Sequence, residues 1–231
     1  MTPKKRVTRK ELLKTPDEFI TFSGKLIQFI STHKSKLLVG LACLFSILLI
    51  ISGIRLLSNR QENKAFEALE AGIRSYNNLI QTKGAREAYL GTEKNFQNML
   101  KKYSRKKGGM LARVFFANIC YDGGQFDRAI ELYKQSLEDF ADNPSVKNLI
   151  LYGLGYAHEG KKESRAAVEY FEMIASGDDP VMKEDAYFNL GRLYHDLDNG
   201  PKSKAYFEKI VSDYTGSLYL ELVKERLQAG T

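Results

Sequence analysis

Apolar positions follow two different patterns along this chain. From Leu37 to Ile54, eighteen consecutive residues carry no charge. At about 1.5 Å per residue, a helix continued through Leu57 would be roughly 31 Å long, close to the ~30 Å hydrocarbon core of a bilayer. Arg55 at one end and Lys34 and Lys36 at the other can reach back to the headgroups along their aliphatic stems. A buried core helix rarely sustains more than about 15 uninterrupted apolar residues. A cleaved signal carries an apolar segment of roughly 7–15 residues after a short basic lead and before a small-x-small site. Here 36 residues precede the run and "SGIRLLSNR" closes it. A lipoprotein signal is also excluded, because Gly40 stands three residues before Cys43 where an aliphatic side chain is required. The pattern predicts an uncleaved signal-anchor over residues 37–57.

Elsewhere apolar residues recur at three and four, the period of helices with one buried face. Ahead of the span, "KTPDEFITFSGKLIQFIS" offers Thr15 as N-cap, Pro16 at the first helical position and Glu18 to close a capping box. It predicts an amphipathic helix over residues 16–33, with a stripe of Phe19, Phe22, Leu26 and Phe29 widened by Ile20, Ile27 and Ile30. Two readings stay open for it: a helix in the cytoplasmic membrane interface, beside the basic cluster Lys4–Lys14, or a solvated tail. Beyond the span, Phe66, Leu69, Ile73, Tyr76 and Ile80 continue a helical stripe with no interruption after the apolar run. From Arg60 onward only Pro144, Pro180 and Pro201 interrupt, so the whole region is expected to be helical.

Self-comparison exposes a repeat. "FFANICYDGGQFDRAIELYKQSLEDF" aligns with "GLGYAHEGKKESRAAVEYFEMIAS" and with "NLGRLYHDLDNGPKSKAYFEKIVSDY". Each segment carries a small residue (Ala117, Gly155, Gly191) and, sixteen positions later, an aromatic (Tyr133, Phe171, Phe207), with 38 and 36 residues between successive small residues. A small residue lets paired helices approach closely, and the later aromatic fills the groove between neighbours.

These residues resemble the tetratricopeptide family, whose period is about 34. Gly124, Phe126, Ala129 and Tyr133 match its turn and second helix; Leu190, Gly191 and Tyr194 match its first helix; Leu154, Gly155, Ala167 and Phe171 join the middle segment to the pattern. The chain departs from it by lacking Trp and by carrying Ser203 where the second-helix Ala belongs. Taken with the span, the resemblance implies an all-α fold, a single transmembrane helix followed by a tetratricopeptide-like right-handed solenoid over residues 58–231. Its units are expected near 60–105, 110–144, 147–180 and 183–216, with a capping helix at 217–228; "AYLGTEKNFQNMLKKY" is the degenerate second helix of the first. It also implies that Asn118, Tyr121, Tyr156, Glu159, Phe188, Arg192 and His195 look toward an inner face that binds a peptide or a partner helix. Val114 stands where a carboxylate clamp would need Lys, which disfavours acidic chaperone tails.

Charge narrows the partner class. Residues 1–36 hold nine Lys or Arg against three acidic residues, leaving 26 basic and 25 acidic in the rest of the chain. The formal charge of +7 therefore reports a basic front beside a span, and it predicts no nucleic-acid partner. The same bias predicts a cytoplasmic N-terminus and an exported body. A second cluster, Lys101, Lys102, Arg105, Lys106 and Lys107, reads as a solvated loop or as a contact for anionic lipid or an acidic domain. With Cys43 and Cys120 alone there is no disulfide framework. The segments hold no phosphate-binding loop, no Gly-x-Ser-x-Gly and no second His four residues after His158, so no enzyme, metal, cofactor or small-molecule substrate is predicted.

A basic front, one N-in span and an exported tetratricopeptide body together resemble the bacterial ancillary SecYEG translocon subunit family. That resemblance implies a non-catalytic inner-membrane protein whose periplasmic domain works beside translocon subunits and periplasmic chaperones. The rival expectation is a scaffold for another envelope complex, in division or outer-membrane assembly.

Overall fold

A computed structural model describes residues 18–229 of the chain. Among them are ten helices: α1 Glu18–Thr32, α2 Lys34–Lys83, α3 Ala85–Tyr103, α4 Lys107–Asp122, α5 Phe126–Asp139, α6 Pro144–Gly160, α7 Ser164–Ser176, α8 Lys183–Asp196, α9 Gly200–Asp213 and α10 Leu220–Gln228. The backbone divides into two compact units, Met1–Asn59 and Arg60–Thr231.

In the first unit, α1 leaves Phe22, Leu26, Ile27, Phe29 and Ile30 exposed. The expected cap at Thr15 and Pro16 and the cluster Lys4–Lys14 lie outside the described residues. Helices α1 and α2 meet at His33, whose backbone N–H donates to the Phe29 carbonyl at 3.0 Å. The apolar part of α2 reaches a mean hydropathy of 2.8 over eighteen residues with none of them buried, and it is the one described helix long and apolar enough to cross a membrane.

The second unit is an all-helical repeat. Neighbouring helices from α3 to α10 pack in chain order, and α4 also touches α6. One turn design recurs within the helix pairs. Gly124, Lys162 and Asp198 adopt left-handed backbone, with φ of 73°, 65° and 56°. The next N–H, of Gln125, Glu163 and Asn199, then donates to the carbonyls of Cys120, His158 and Tyr194 at 2.7, 2.9 and 2.8 Å. This six-to-one bond satisfies a helix-terminal carbonyl and reverses the chain. The three turns keep the spacing of the small residues, although glycine, which takes this conformation without steric cost, occupies only the first. Of the helices that follow these turns, α9 is capped by Asn199 Oδ1, which accepts from Lys202 N–H at 3.2 Å; α6 is capped in the same way by Asn143 Oδ1, which accepts from Val146 N–H at 3.2 Å.

The core lies between the paired helices. Phe96, Phe116, Phe171 and Phe207 are fully buried. A Cβ built on Gly155 would fall 2.5 Å from the Phe171 ring, and one built on Gly191 would fall 2.4 Å from the Phe207 ring. In the α8–α9 pair Ser203 Oγ donates to the Gly191 carbonyl at 2.7 Å, so this departure from Ala is absorbed by a hydrogen bond inside the core. At the far end, Val223 of α10 closes a smaller cluster with Tyr187, Phe207 and Ile210.

Candidate functional site

The first helices of two successive pairs, α4 and α6, line a groove of about 670 Å³. Helical spacing puts Leu111, Phe115, Asn118 and Asp122 on one face of α4, while Leu149, Tyr152 and Tyr156 line it from α6. Tyr133 of α5 and Met182, just before α8, also contribute to the lining. Two large apolar side chains remain in water at its rim, Phe115 at 39% and Leu149 at 44% exposure.

An aromatic network fixes the walls. The Tyr121 and Tyr156 rings meet edge to face at 6.4 Å, and Tyr152 meets Tyr156 at 4.8 Å with a Tyr152–Tyr156 hydroxyl hydrogen bond of 3.2 Å. The Tyr133 hydroxyl donates to Asn118 Oδ1, and the Tyr76 hydroxyl donates to Asp122 Oδ2. Burial raises the pKa of Tyr121, Tyr133 and Tyr152, so all three stay neutral phenols through the physiological range. Asp122 is the single charged side chain in the lining. The result is a mostly apolar channel with a few oriented hydroxyl and amide groups and one carboxylate at its edge.

Of the residues expected on the inner face, the structure gathers Asn118, Tyr121 and Tyr156 into this groove. Glu159 and Arg192 instead hold each other in a two-pronged ion pair of 2.6 and 2.7 Å, with Asn189 Oδ1 accepting a further guanidinium N–H at 2.9 Å. That pair links α6 to α8. Phe188 stacks on Tyr219 at 4.2 Å, and the Tyr219 hydroxyl donates to Asp185 at 2.7 Å. His195 is exposed in the last turn of α8.

Sequence reasoning missed Phe115, Leu149 and Tyr152. Their signal was available: Phe115 lies three residues before Asn118 and Tyr152 four before Tyr156, on the same helical faces. His158 Nδ1 lies 2.6 Å from Glu163 Oε2 and its ring stacks on Tyr170, while Nε2 is buried without a hydrogen-bond partner among the described residues.

Comparison with known proteins bears on the repeat. A family model described as tetratricopeptide repeat matches residues 184–212, which cover all but the first residue of α8 and the last of α9. Among solved structures, the crystal structure of BtubC (BKLC) from P. vanneervenii is similar at a TM-score of 0.45 and 18% identity, over 69% of this chain and 74% of that one. No curated protein matches the chain. Tetratricopeptide repeats serve as protein-interaction modules and are typically non-catalytic scaffolds.

Proposed function

We propose that this protein is a membrane-tethered, non-catalytic binding module whose α4–α6 groove takes a protein segment rich in large apolar side chains. The observation that carries the reading is the groove itself. Phe115 and Leu149 stand partly exposed beside four tyrosines, and rigid aromatics bury area at low cost in conformational entropy. With Asp122 as its one charged lining residue and no basic one, the groove suits an apolar segment and is poorly matched to an acidic tail.

The span and the charge bias of its flanks support an N-in orientation in a bacterial inner membrane, with the repeat unit in the periplasm. In that setting the segment belongs to an exported protein, a translocon subunit or a periplasmic chaperone. The inner-face role extends to Phe188, Arg192, Glu159 and His195 as a wall continuing beyond the groove, with Glu159 and Arg192 setting the spacing of α6 and α8. A photocrosslinking amino acid at Leu149, compared with one at Lys204 on the exposed face of α9, tests this in cells. Crosslinks to translocon subunits or periplasmic chaperones from position 149 and not 204 are expected. Equal yields from both positions would remove the groove from the reading, and partners confined to division or outer-membrane assembly would replace the translocon role.

A further inference from the structure

The last turn of α3, the connection after it and the first residue of α4 concentrate positive charge that the groove does not use. Lys101, Lys102, Arg105, Lys106 and Lys107 fall within seven consecutive positions. Lys101, Lys102, Arg105 and Lys107 are exposed, and none of these four enters an ion pair with another described residue.

This charge is held in a fixed place. Gly108 N–H donates to Glu62 Oε1 at 3.0 Å. Gly108 is buried, and a Cβ on it would lie 2.8 Å from the backbone of Ala65 and Phe66, so only glycine lets the connection seat this closely on the Glu62–Phe66 turn. Gly108 and its neighbour Lys107 are therefore pinned against residues 62–66, and the short turn 104–106 joins the end of α3 to them.

Chain length then bounds their distance from the apolar run. Glu62 stands five residues after Leu57. Five residues cover about 8 Å as helix and about 18 Å fully extended. A headgroup layer is roughly 5–8 Å thick, and the field of an anionic surface decays over about 8 Å at physiological ionic strength. Arg60 and Lys64, within the same short stretch, add to the positive charge.

We propose that the Lys101–Lys107 connection, with Arg60 and Lys64, binds anionic lipid headgroups on the leaflet that faces the repeat unit. The inference rests on reading α2 as a membrane anchor. It gives the repeat unit a second, lipid-dependent contact besides its tether. An acidic protein domain would be attracted by the same charges, but lipid is the partner that the tether keeps within reach.

The test uses the full chain with Cys43→Ser and Ser104→Cys, labelled at position 104 with a polarity-sensitive fluorophore and placed in nanodiscs. Discs of phosphatidylcholine alone are compared with discs containing phosphatidylglycerol. A blue shift of emission in the anionic discs only is expected, reversed by high salt and lost in the variant K101Q/K102Q/R105Q/K107Q with an unchanged helical circular-dichroism spectrum. Identical emission in the two discs overturns the inference while leaving the anchor intact. A chain that enters neither disc overturns anchor and inference together. A shift produced in neutral discs by inorganic phosphate assigns a soluble-anion site and overturns the lipid assignment, as does a shift that survives in the quadruple variant.

Discussion

Gly155→Ala adds one methyl group at a tight helix-to-ring contact of the middle repeat, and its consequence can be worked from the geometry. The new carbon would lie 2.5, 2.8 and 2.8 Å from Cζ, Cε1 and Cε2 of Phe171. Carbon pairs are comfortable at about 3.5–4.0 Å, so the ring must move by roughly 1 Å. It has little room: Phe171 is fully buried, with Tyr152 and Tyr156 meeting it edge to face at 5.8 and 5.7 Å. Overpacking costs about 1–3 kcal/mol, here about 2–3 kcal/mol because the ring is enclosed on all sides, and alanine returns about 1 kcal/mol of helix propensity. The expected net loss is about 1–2 kcal/mol, or a Tm lower by roughly 2–8 °C for a unit of this size. Thermal unfolding of the full chain in detergent, followed by circular dichroism at 222 nm, measures it. The variant Phe171→Leu leaves a void of its own, yet combined with Gly155→Ala it accommodates the methyl. The double variant should therefore be more stable than the sum of the two single losses by at least about 0.5 kcal/mol. A Gly155→Ala protein as stable as the parent, or a strictly additive double variant, would refute the claim that the small residue exists to seat the ring.

Two further outcomes follow from the repeat. Lys162→Gly should stabilise the protein by up to about 1 kcal/mol in the same unfolding assay, because the lysine backbone is held at φ 65° in a turn whose first copy uses glycine; Gly124→Ala should do the opposite. Cys120 is fully buried and burial pushes its thiol up to about 12, so in a Cys43→Ser background it should resist a thiol reagent at neutral pH until denaturant is added. The sign of the alkaline limb follows as well. The unfolded thiol ionises near pH ~8.5 and the folded one near 12, so above ~8.5 the unfolded state binds fewer protons and stability falls as pH rises. Tyr89, pushed up to about 12 by burial, acts in the same direction above ~10, and a Cys120→Ala variant should flatten the lower part of that fall.

The sequence by itself determined whatever depends on local period and composition. An uncharged run of eighteen residues needs no tertiary information to be recognised as a candidate span, since length and transfer free energy decide it. The small-to-aromatic spacing at Ala117, Gly155 and Gly191 likewise carried the repeat, because each unit must bury the same face against its neighbour. Tertiary structure decided which side chains remain available. Glu159 and Arg192 carry the charges expected of an inner face, yet they lie within reach of each other across α6 and α8, and an ion pair with two good hydrogen bonds claims both. Phe188 was legible as an aromatic on a first helix, but the stacking of Tyr219 from beyond α9 depends on where the chain returns. Phe115, Leu149 and Tyr152 form the groove with Tyr156 because α4 and α6 run side by side, a proximity that joins residues more than thirty positions apart. The left-handed backbone at Lys162 and Asp198 was equally silent in their side chains, because the helix turn imposes it through the hydrogen bonds to His158 and Tyr194. A periodic pattern fixes which face of a helix is buried; only the packed fold fixes what that face meets.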